Sequence, residues 1–342
     1  MQRRADGRAT RLGADARIWA WVVAATTISA SAGGCRPSAT SERICSGAQA
    51  LGVIDLKGAS LPPKTIALTF DDGPGPRTAE LSTYLKAEGI RAGFFINGKM
   101  ATPNISVLAQ IIADGHVLGN HTETHMSLTG RSTSGVRLDD ATTVAELAQT
   151  DALLMPFVTN GRFLFRAPFG DFDDISAAAI NASPMNKYVG PINWDIGDRM
   201  GPSRATDWDC WTPASDGLVL TVAECGELYV AEIESVGRGV VLLHDPYTID
   251  NDPAKGGTVD MVKLMIPALK AKGYTFVRID DVPDIAALLP AIPAPDAGSD
   301  ASTSGSPSAG SASSGSPSPS PPTPPASSDV SGRPEPCPRA QP

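Results

Sequence analysis

A repeated alternation between short apolar runs and longer amphipathic stretches constrains the fold of this chain more than any other feature. Seven apolar runs predict strands, at residues 65–70, 92–97, 116–121, 163–168, 188–194, 239–245 and 275–279. Helical patterns separate them, one after Pro76, one at residues 103–115, and others at 138–155, 174–183, 222–236 and 259–272. Apolar strands joined by helical crossovers indicate a parallel sheet that is covered on both faces.

The number of predicted strands fits two parallel α/β architectures, an open doubly wound sheet and a closed or nearly closed (β/α) barrel. The first strand is not followed by a Gly-x-Gly-x-x-Gly turn, which argues against the dinucleotide-binding form of the open sheet. We therefore expect a (β/α) barrel of about seven parallel strands in a single domain.

The two ends of the chain differ in composition from its middle. An arginine-rich start, an apolar run at residues 18–28 and a small-residue exit are typical of a secretion signal, and the run is shorter than the roughly 20 residues of a membrane span. The last part is almost entirely Ser, Pro, Gly and Ala, and such a segment cannot offset its own ordering entropy. We expect a signal peptide at 1–34, a linker at 35–61, one folded domain at 62–290 and a disordered Ser/Pro-rich tail at 291–342.

The predicted signal ends in Ala-Gly-Gly-Cys, which resembles the lipobox of bacterial lipoproteins. In that motif the cysteine, here Cys35, is lipidated and becomes the mature N-terminus. Ala32 stands where a leucine is usual, and ordinary cleavage with Cys35 as a plain thiol is the alternative. We expect an exported protein of the cell envelope, tethered to the membrane through Cys35, or otherwise periplasmic or secreted.

Charge and cysteine usage bear on partners and on the kind of metal site. The formal net charge of −9 gives no basic footprint for nucleic acid. The five cysteines include no Cys-x-x-Cys pair, so a thiolate zinc site is not expected. Outside the cytoplasm, Cys210 and Cys225 are well placed to form a disulfide that joins a loop to the next helix. The sequence does not indicate a partner for Cys45 or Cys337.

The polar residues that could carry chemistry gather at the carboxyl ends of the predicted strands. They are Asp71, Asp72, His121, His125, Arg166, Trp194, Asp195, His244 and Asp245. Barrel enzymes place their chemistry on this one face, and a chance distribution would have used both ends of the strands. The remaining histidine, His116, begins its strand at the opposite end and is predicted to be structural.

Two histidines and a pair of adjacent acids predict a metal site. His121 and His125 are four residues apart, a spacing that suits two ligands. With one carboxylate they leave a fourth position open, as in catalytic zinc sites, and a divalent cation, with Zn²⁺ favoured, would offset the repulsion between Asp71 and Asp72. The alternative is that both histidines cap or fill the core. Glu123 is one place late for the His-Glu-x-x-His motif of zinc proteases, so we expect it to be solvated and take Asp71 as the candidate base.

Four motifs resemble, in order and spacing, those of the polysaccharide deacetylases with a NodB homology domain, carbohydrate esterase family 4. They are TFDDGP at 69–74, HTETH at 121–125, RAPFG at 166–170 and LLHD at 242–245. The resemblance extends over about residues 62–288. It implies a distorted (β/α) barrel and a metal-dependent hydrolase that removes acetyl groups from a polysaccharide.

The resemblance also implies a metal centre and a base, residue by residue. Asp71 corresponds to the catalytic base, and Asp72, His121 and His125 correspond to the metal ligands. Arg166 would position the base.

The rest of the implied site handles the oxyanion, the leaving group and the substrate. The backbone amide near Phe169 would face the developing oxyanion, and His244 corresponds to the general acid. The family's Asp-Trp pair, which steers and charges that histidine, is displaced here by an insertion. We favour Asp207 and Trp208 as its equivalents, with Asp195 as the rival, and expect Phe169 and Trp208 to contact substrate.

Three functions are compatible with these residues. The leading hypothesis is removal of N-acetyl groups from an aminosugar polymer such as peptidoglycan. A second keeps the same residues and removes acetyl esters from xylan or another exopolysaccharide. A third is a non-catalytic, glycan-binding lipoprotein, against which the presence of base, ligands, arginine and acid argues.

Overall fold

The computed structural model describes residues 51–52, 55–133, 135–198, 205–211 and 219–291. The predicted signal peptide, Cys35 and nearly all of the predicted tail lie outside these described residues. No helix within the described ranges is both long enough and apolar enough to cross a membrane.

The described residues form strands and helices in alternation. The strands are β1 (Thr65–Asp71), β2 (Gly93–Ile96), β3 (Val117–Asn120), β4 (Leu164–Phe165), β5 (Gly239–His244) and β6 (Thr275–Phe276). The helices are α1 (Thr78–Ala87), α2 (Gly98–Ala101), α3 (Ile105–Ala113), α4 (Asp140–Leu154), α5 (Asp174–Asn181), α6 (Asp207–Trp211), α7 (Val222–Val236), α8 (Thr258–Ala271) and α9 (Pro283–Ala286).

The strands form one parallel sheet in the order β4-β3-β2-β1-β5, with β6 pairing the start of β1. All seven residues of β1 are buried, as expected for a central strand covered by helices on both faces. The predicted parallel α/β sheet is therefore confirmed.

The predicted strand at 188–194 is not a regular strand in the structure. This segment touches both edges of the sheet: Phe165 N donates to Val189 O at 2.9 Å, and Asp195 N donates to Val240 O at 2.9 Å. Pro191 has no N–H to contribute to a ladder, which explains why the contacts remain isolated bridges. The described residues thus contain six strands, and an irregular segment bridges the two edges where a seventh was predicted.

Residues 55–61, placed in the predicted linker, belong to the folded core. Leu56 and Leu61 are buried in a cluster with Ile192, Val240 and Ile279. The backbone of Leu56 accepts a hydrogen bond from Asn193 N at 2.8 Å. This segment therefore packs against the sheet before β1 begins.

Helix α7 shows how local sequence sets an element that the site depends on. Thr221 and Glu224 form a reciprocal capping box at its start, and Gly237 ends it in the left-handed conformation at φ 82°. Its Cys225 forms a disulfide with Cys210 of α6, so the predicted bridge is confirmed.

We expect Leu56→Ala to lower the free energy of unfolding by about 2–5 kcal/mol, because it leaves a cavity in the core. Chemical denaturation followed by circular dichroism measures this. Ile175→Ala is the control, since that side chain is 56% exposed and its loss should change the free energy by less than about 0.5 kcal/mol. Equal, small effects for both variants would show that residues 55–61 do not contribute to the core.

Candidate active site

The parallel register brings the predicted site residues to one rim of the sheet. Asp71, the last residue of β1, lies directly opposite His244, the last residue of β5. The final residues of β3 and β4 are also paired, so His121 and Arg166, which follow them, leave the sheet at the same level. Strand ends that are distant in sequence thereby meet around one cleft.

Asp72, His121 and His125 converge so that one ligand atom from each lies within 4.8 Å of the others. Asp72 Oδ1 is 3.5 Å from His121 Nε2 and 3.2 Å from His125 Nε2. His121 Nδ1 lies 2.9 Å from the carbonyl oxygen of Arg166, and only a protonated nitrogen can pair with a carbonyl. Its Nε2 is therefore the nitrogen left with a free lone pair, and it faces Asp72.

These three residues fit a divalent cation. Asp72 Oδ1 is buried and accepts no hydrogen bond from the described residues, which is costly for a carboxylate without another partner. Burial, together with the neighbouring His125, lowers the pKa of His121 to about 3, so its imidazole is neutral, the form that binds metals. Two imidazoles and one carboxylate are a donor set that suits zinc and other first-row divalent ions.

The backbone around this group is held in an uncommon conformation. Asp72, Thr122 and His125 all have positive φ angles, of 68°, 65° and 59°. Non-glycine residues rarely adopt the left-handed region, and such conformations cluster at functional sites. Asn120 supports one of them by accepting a hydrogen bond from Thr122 N at 2.9 Å. The loops after β1 and β3 are therefore shaped to aim these side chains at each other.

Asp71 forms a buried ion pair with Arg166. Arg166 Nη1 donates to Asp71 Oδ1 at 2.7 Å, and the guanidinium is fully buried, with further bonds to the hydroxyl of Thr69 and the carbonyl of Ile192. Burial raises the pKa of Asp71, and the Arg166 charge opposes that rise. Asp71 Oδ2 lies 3.7 Å from His121 Nε2, so the base candidate borders the metal-binding group.

His244 is bonded to Asp207, which decides between the two predicted partners. His244 Nδ1 is 2.7 Å from Asp207 Oδ1, and His244 N donates to Asp207 Oδ2 at 2.6 Å. Burial alone would lower the pKa of His244, but the Asp207 carboxylate, together with the charges of Asp72 and Asp71, outweighs burial and raises the pKa to about 9. Asp195 does not contact His244; its Oδ2 accepts from Gly58 N and Val240 N, both at 2.8 Å, and joins the N-terminal segment to β5.

Asp207 is held by residues of β5, α7 and α8. Its N–H donates to the hydroxyl of Tyr229 in α7 at 3.0 Å, and its Oδ2 accepts from the hydroxyl of Thr258 in α8 at 2.8 Å. Trp211 Nε1 donates to the same threonine hydroxyl at 3.0 Å. The disulfide fixes α6 to α7 close by. A helix of only five residues is thereby given a defined position beside β5.

The cleft above these groups has a volume of about 540 Å³. Its aromatic lining consists of Phe169, Trp194, Trp208, Trp211 and Tyr247. Phe169 is 47% exposed, and its ring packs edge-on against the ring of His125, with the ring centroids 4.5 Å apart. Phe169 and Trp208, predicted to contact substrate, thus both border the cleft.

Two residues at the rim, Tyr247 and Asp198, were not singled out from the sequence, and a third, Asp245, was named at a strand end without a role. Tyr247 donates its phenol hydrogen to Asp72 Oδ2 at 2.8 Å, and Asp198 lines the cleft and accepts from the indole of Trp194. Asp245 is buried, which raises its pKa to about 7, and it accepts from Gly75 N and the Thr78 hydroxyl. Only Asp245 carried a signal, its place directly after His244.

Two residues near the metal-binding motif were predicted to lie outside the site. Glu123 was expected to be solvated, and this was wrong: it is half-buried and accepts a hydrogen bond from the Thr150 hydroxyl at 3.2 Å. His116 lies buried at the start of β3, where Nδ1 accepts from Ala92 N and Nε2 is 3.0 Å from Ser82 O. Neither side chain reaches the cleft lining.

Comparison with known proteins shows which protein family this chain resembles. Residues 58–187 match the family model described as polysaccharide deacetylase. A chitooligosaccharide deacetylase of Sinorhizobium fredii is 28% identical over 234 residues, covering 66% of this chain and 93% of that protein. The peptidoglycan-N-acetylglucosamine deacetylase PgdA of Listeria monocytogenes is 26% identical over 223 residues, covering 64% of this chain and 39% of that protein.

Among solved structures, the Bc1960 peptidoglycan N-acetylglucosamine deacetylase aligns with a TM-score of 0.49 and 22% identity, over 67% of this chain and 91% of that one. The match to the family model contains Asp71, Asp72, His121, His125 and Arg166, and it ends before Asp207 and His244. The family model that matches residues 58–187 is therefore that of the family which the motifs resemble.

Proposed function

We propose that this protein is a metal-dependent hydrolase that removes N-acetyl groups from an aminosugar polymer such as peptidoglycan. The observation that carries the proposal is the position of a carboxylate and a charged imidazole, Asp71 and His244, side by side at the rim and next to a His₂Asp group. The relatives named for chitooligosaccharides and peptidoglycan support an N-acetylated aminosugar as the substrate class.

Asp72, His121 and His125 would hold the cation. Bound there, a divalent ion such as Zn²⁺ supplies Lewis-acid chemistry, which polarises an acyl oxygen and acidifies water. The chain contributes a neutral imidazole at His121, whose Nδ1 is fixed by the Arg166 carbonyl, and a carboxylate oxygen of Asp72 with no competing donor among the described residues. Such fixed orientation of the ligands is what metal sites require of their surroundings.

Asp71 acts as the general base that takes a proton from the attacking water. Its burial favours proton uptake, while the ion pair with Arg166 keeps the carboxylate ionised before the reaction. Arg166 also determines which oxygen of Asp71 is free. Its Nη1 donates a hydrogen bond to Asp71 Oδ1, so Asp71 Oδ2, on the side of His121, is left to accept the proton. The nucleophile is water, so no covalent bond to the protein forms.

His244 acts as the general acid that protonates the leaving nitrogen. Asp207 binds Nδ1, so Nε2 is the nitrogen that can deliver a proton into the cleft. The raised pKa of His244, about 9, keeps this proton in place at neutral pH. Expulsion of an amine without protonation is slow, which is why an amide substrate needs this residue.

Phe169 and Trp208 are proposed to contact the sugar. Both border the cleft, and aromatic rings offer flat apolar surfaces with little conformational freedom to lose. The carbonyl oxygen that becomes negative in the transition state would be met by the backbone N–H near Phe169, where φ is 58°.

We also propose that the protein is exported to the cell envelope, where the polymer lies. The disulfide between Cys210 and Cys225 supports an oxidising compartment. The signal-like residues 1–34 agree with this, and a lipid anchor at Cys35 would keep the enzyme near its substrate.

A panel of acetylated glycans tests the substrate class. We expect acetate release from N-acetylglucosamine oligomers or peptidoglycan, no release from acetylated xylan, loss of release with a chelator, and recovery on adding Zn²⁺. Release from acetylated xylan alone would assign the site to acetyl esters. Retention of glycan by the metal-loaded protein without any acetate release would assign it to binding only.

Asp71→Asn should retain Zn²⁺ and lose turnover by about 10²–10⁴-fold, because it removes the base and not a ligand. His121→Ala should lose both. Metal content and acetate release are measured on the same samples, with Asp284→Asn as a control at an exposed acid. Near-normal turnover of Asp71→Asn would show that the base is another group.

Asp207→Asn should lower the pKa of His244, because it removes the carboxylate that raises it. The His244–Asp207 pair stabilises the folded protein most below the unfolded histidine pKa of about 6.5, and this contribution is lost as pH rises through about 9. NMR titration of the His244 ring in the metal-free protein measures the pKa. Asp195→Asn is the matched control and should leave this titration unchanged; a shift there, and none for the Asp207 variant, would reverse the assignment.

A further inference from the structure

Tyr247 is a cleft residue for which the proposed hydrolysis has no role. It follows β5, three residues after His244, and its phenol hydroxyl donates to Asp72 Oδ2 at 2.8 Å. Its ring also packs against the ring of His244, with centroids 5.1 Å apart. The side chain therefore touches both a metal-ligand candidate and the acid candidate.

The two oxygens of Asp72 have different surroundings. Oδ2 accepts the phenol hydrogen of Tyr247, whereas Oδ1 is buried, faces both histidine Nε2 atoms and accepts no hydrogen bond from the described residues. A carboxylate that is free to rotate could present either oxygen. The phenol hydrogen bond holds one oxygen, so the other is directed toward the two imidazoles.

The backbone of Tyr247 is itself fixed. Its N–H donates to the carbonyl of His244 at 3.4 Å, and its carbonyl accepts from Thr258 N at 3.2 Å. Gly257 passes so close to this carbonyl that a β-carbon there would lie 2.5 Å from it. The phenol is thereby presented from a segment anchored to the start of α8, and not from a free loop.

We propose that Tyr247 is a positioning residue for the metal ligand Asp72, holding Oδ2 so that Oδ1 completes the cation site with His121 and His125. This inference rests on the proposed metal-binding function. Groups that orient a metal ligand through a hydrogen bond change metal affinity by about 10–100-fold when they are removed.

The test is Tyr247→Phe, which keeps the ring against His244 and removes only the hydroxyl. The Zn²⁺ dissociation constant of the full chain is measured by competition with a chromophoric chelator. We expect Zn²⁺ binding to weaken by about 10–100-fold. Acetate release should return to near the wild-type rate at saturating Zn²⁺, because the phenol acts through the ligand and not on the substrate.

Tyr274→Phe is the matched control. Tyr274 is also largely buried, and its hydroxyl donates to the carbonyl of Ile233 at 3.0 Å, away from the cleft. It should leave Zn²⁺ affinity unchanged. Thermal unfolding without metal shows whether either variant has lost its fold. If Tyr247→Phe does not fold, Tyr247→Trp, which removes the same hydroxyl, gives an independent measurement of Zn²⁺ affinity.

Three outcomes would overturn the inference. If Tyr247→Phe binds Zn²⁺ with wild-type affinity, this inference is overturned and the proposed function is not, because the metal site would form without the phenol hydroxyl. Unchanged affinity with turnover lost even at saturating Zn²⁺ would place the hydroxyl on the substrate instead. Absence of Zn²⁺ binding by the wild-type chain would overturn the proposed function together with it.

Discussion

Two adjacent carboxylates at the end of a buried strand are the constraint on which the site depends. Asp71 and Asp72 cannot share one environment, because two desolvated like charges repel strongly in a medium of low dielectric constant. The structure separates them. Asp71 stays in the strand and pairs with buried Arg166, while Asp72 turns away at φ 68° toward Tyr247 and the two histidines. The left-handed turn costs backbone energy, and it is what sends the two acids to different partners.

The balance of charge around the rim follows from this separation. Each buried acid that would otherwise be isolated has a cation or a set of donors: Asp71 has Arg166, Asp207 has His244 and Thr258, and Asp245 has Gly75 N and the Thr78 hydroxyl. Asp72 Oδ1 and Asp245 Oδ1 are both buried and accept no hydrogen bond from the described residues, and Asp72 Oδ1 in addition lies 3.5 Å and 3.2 Å from the Nε2 atoms of His121 and His125. An unmet carboxylate oxygen that lies between two imidazoles, as Asp72 Oδ1 does, is the strongest structural argument for a cation in the proposed mechanism.

The sequence predicted the parts of the site that the parallel sheet itself determines. In a parallel sheet all strands end at the same rim, so knowing where β1, β3, β4 and β5 end is enough to bring Asp71, His121, Arg166 and His244 together. The choice between Asp195 and Asp207 could not be made this way, because it depends on how α6 docks against α7 and α8. Tyr247 carried no motif, and its role depends on a side-chain direction that periodicity does not give. The irregular segment at 188–194 was predicted to be a strand because its apolar residues outweighed Pro191 in the pattern.

The side of the cleft with the proposed base and metal ligands and the side with the proposed acid are held in place in different ways. Asp71 ends strand β1, and Asp72, His121 and His125 come from the loops after β1 and β3; all four lie within the residues that match the family model. Asp207 belongs to a short helix whose position depends on the disulfide to α7, the Tyr229 hydroxyl and Thr258, none of which lies within that match. The geometry of the proposed base and cation site therefore follows from the sheet, whereas the raised pKa of His244 depends on Asp207, which tertiary contacts outside the sheet hold in place. Tyr247 and Thr258 connect the two sides, because one backbone hydrogen bond links the residue that donates to Asp72 to the residue that donates to Asp207.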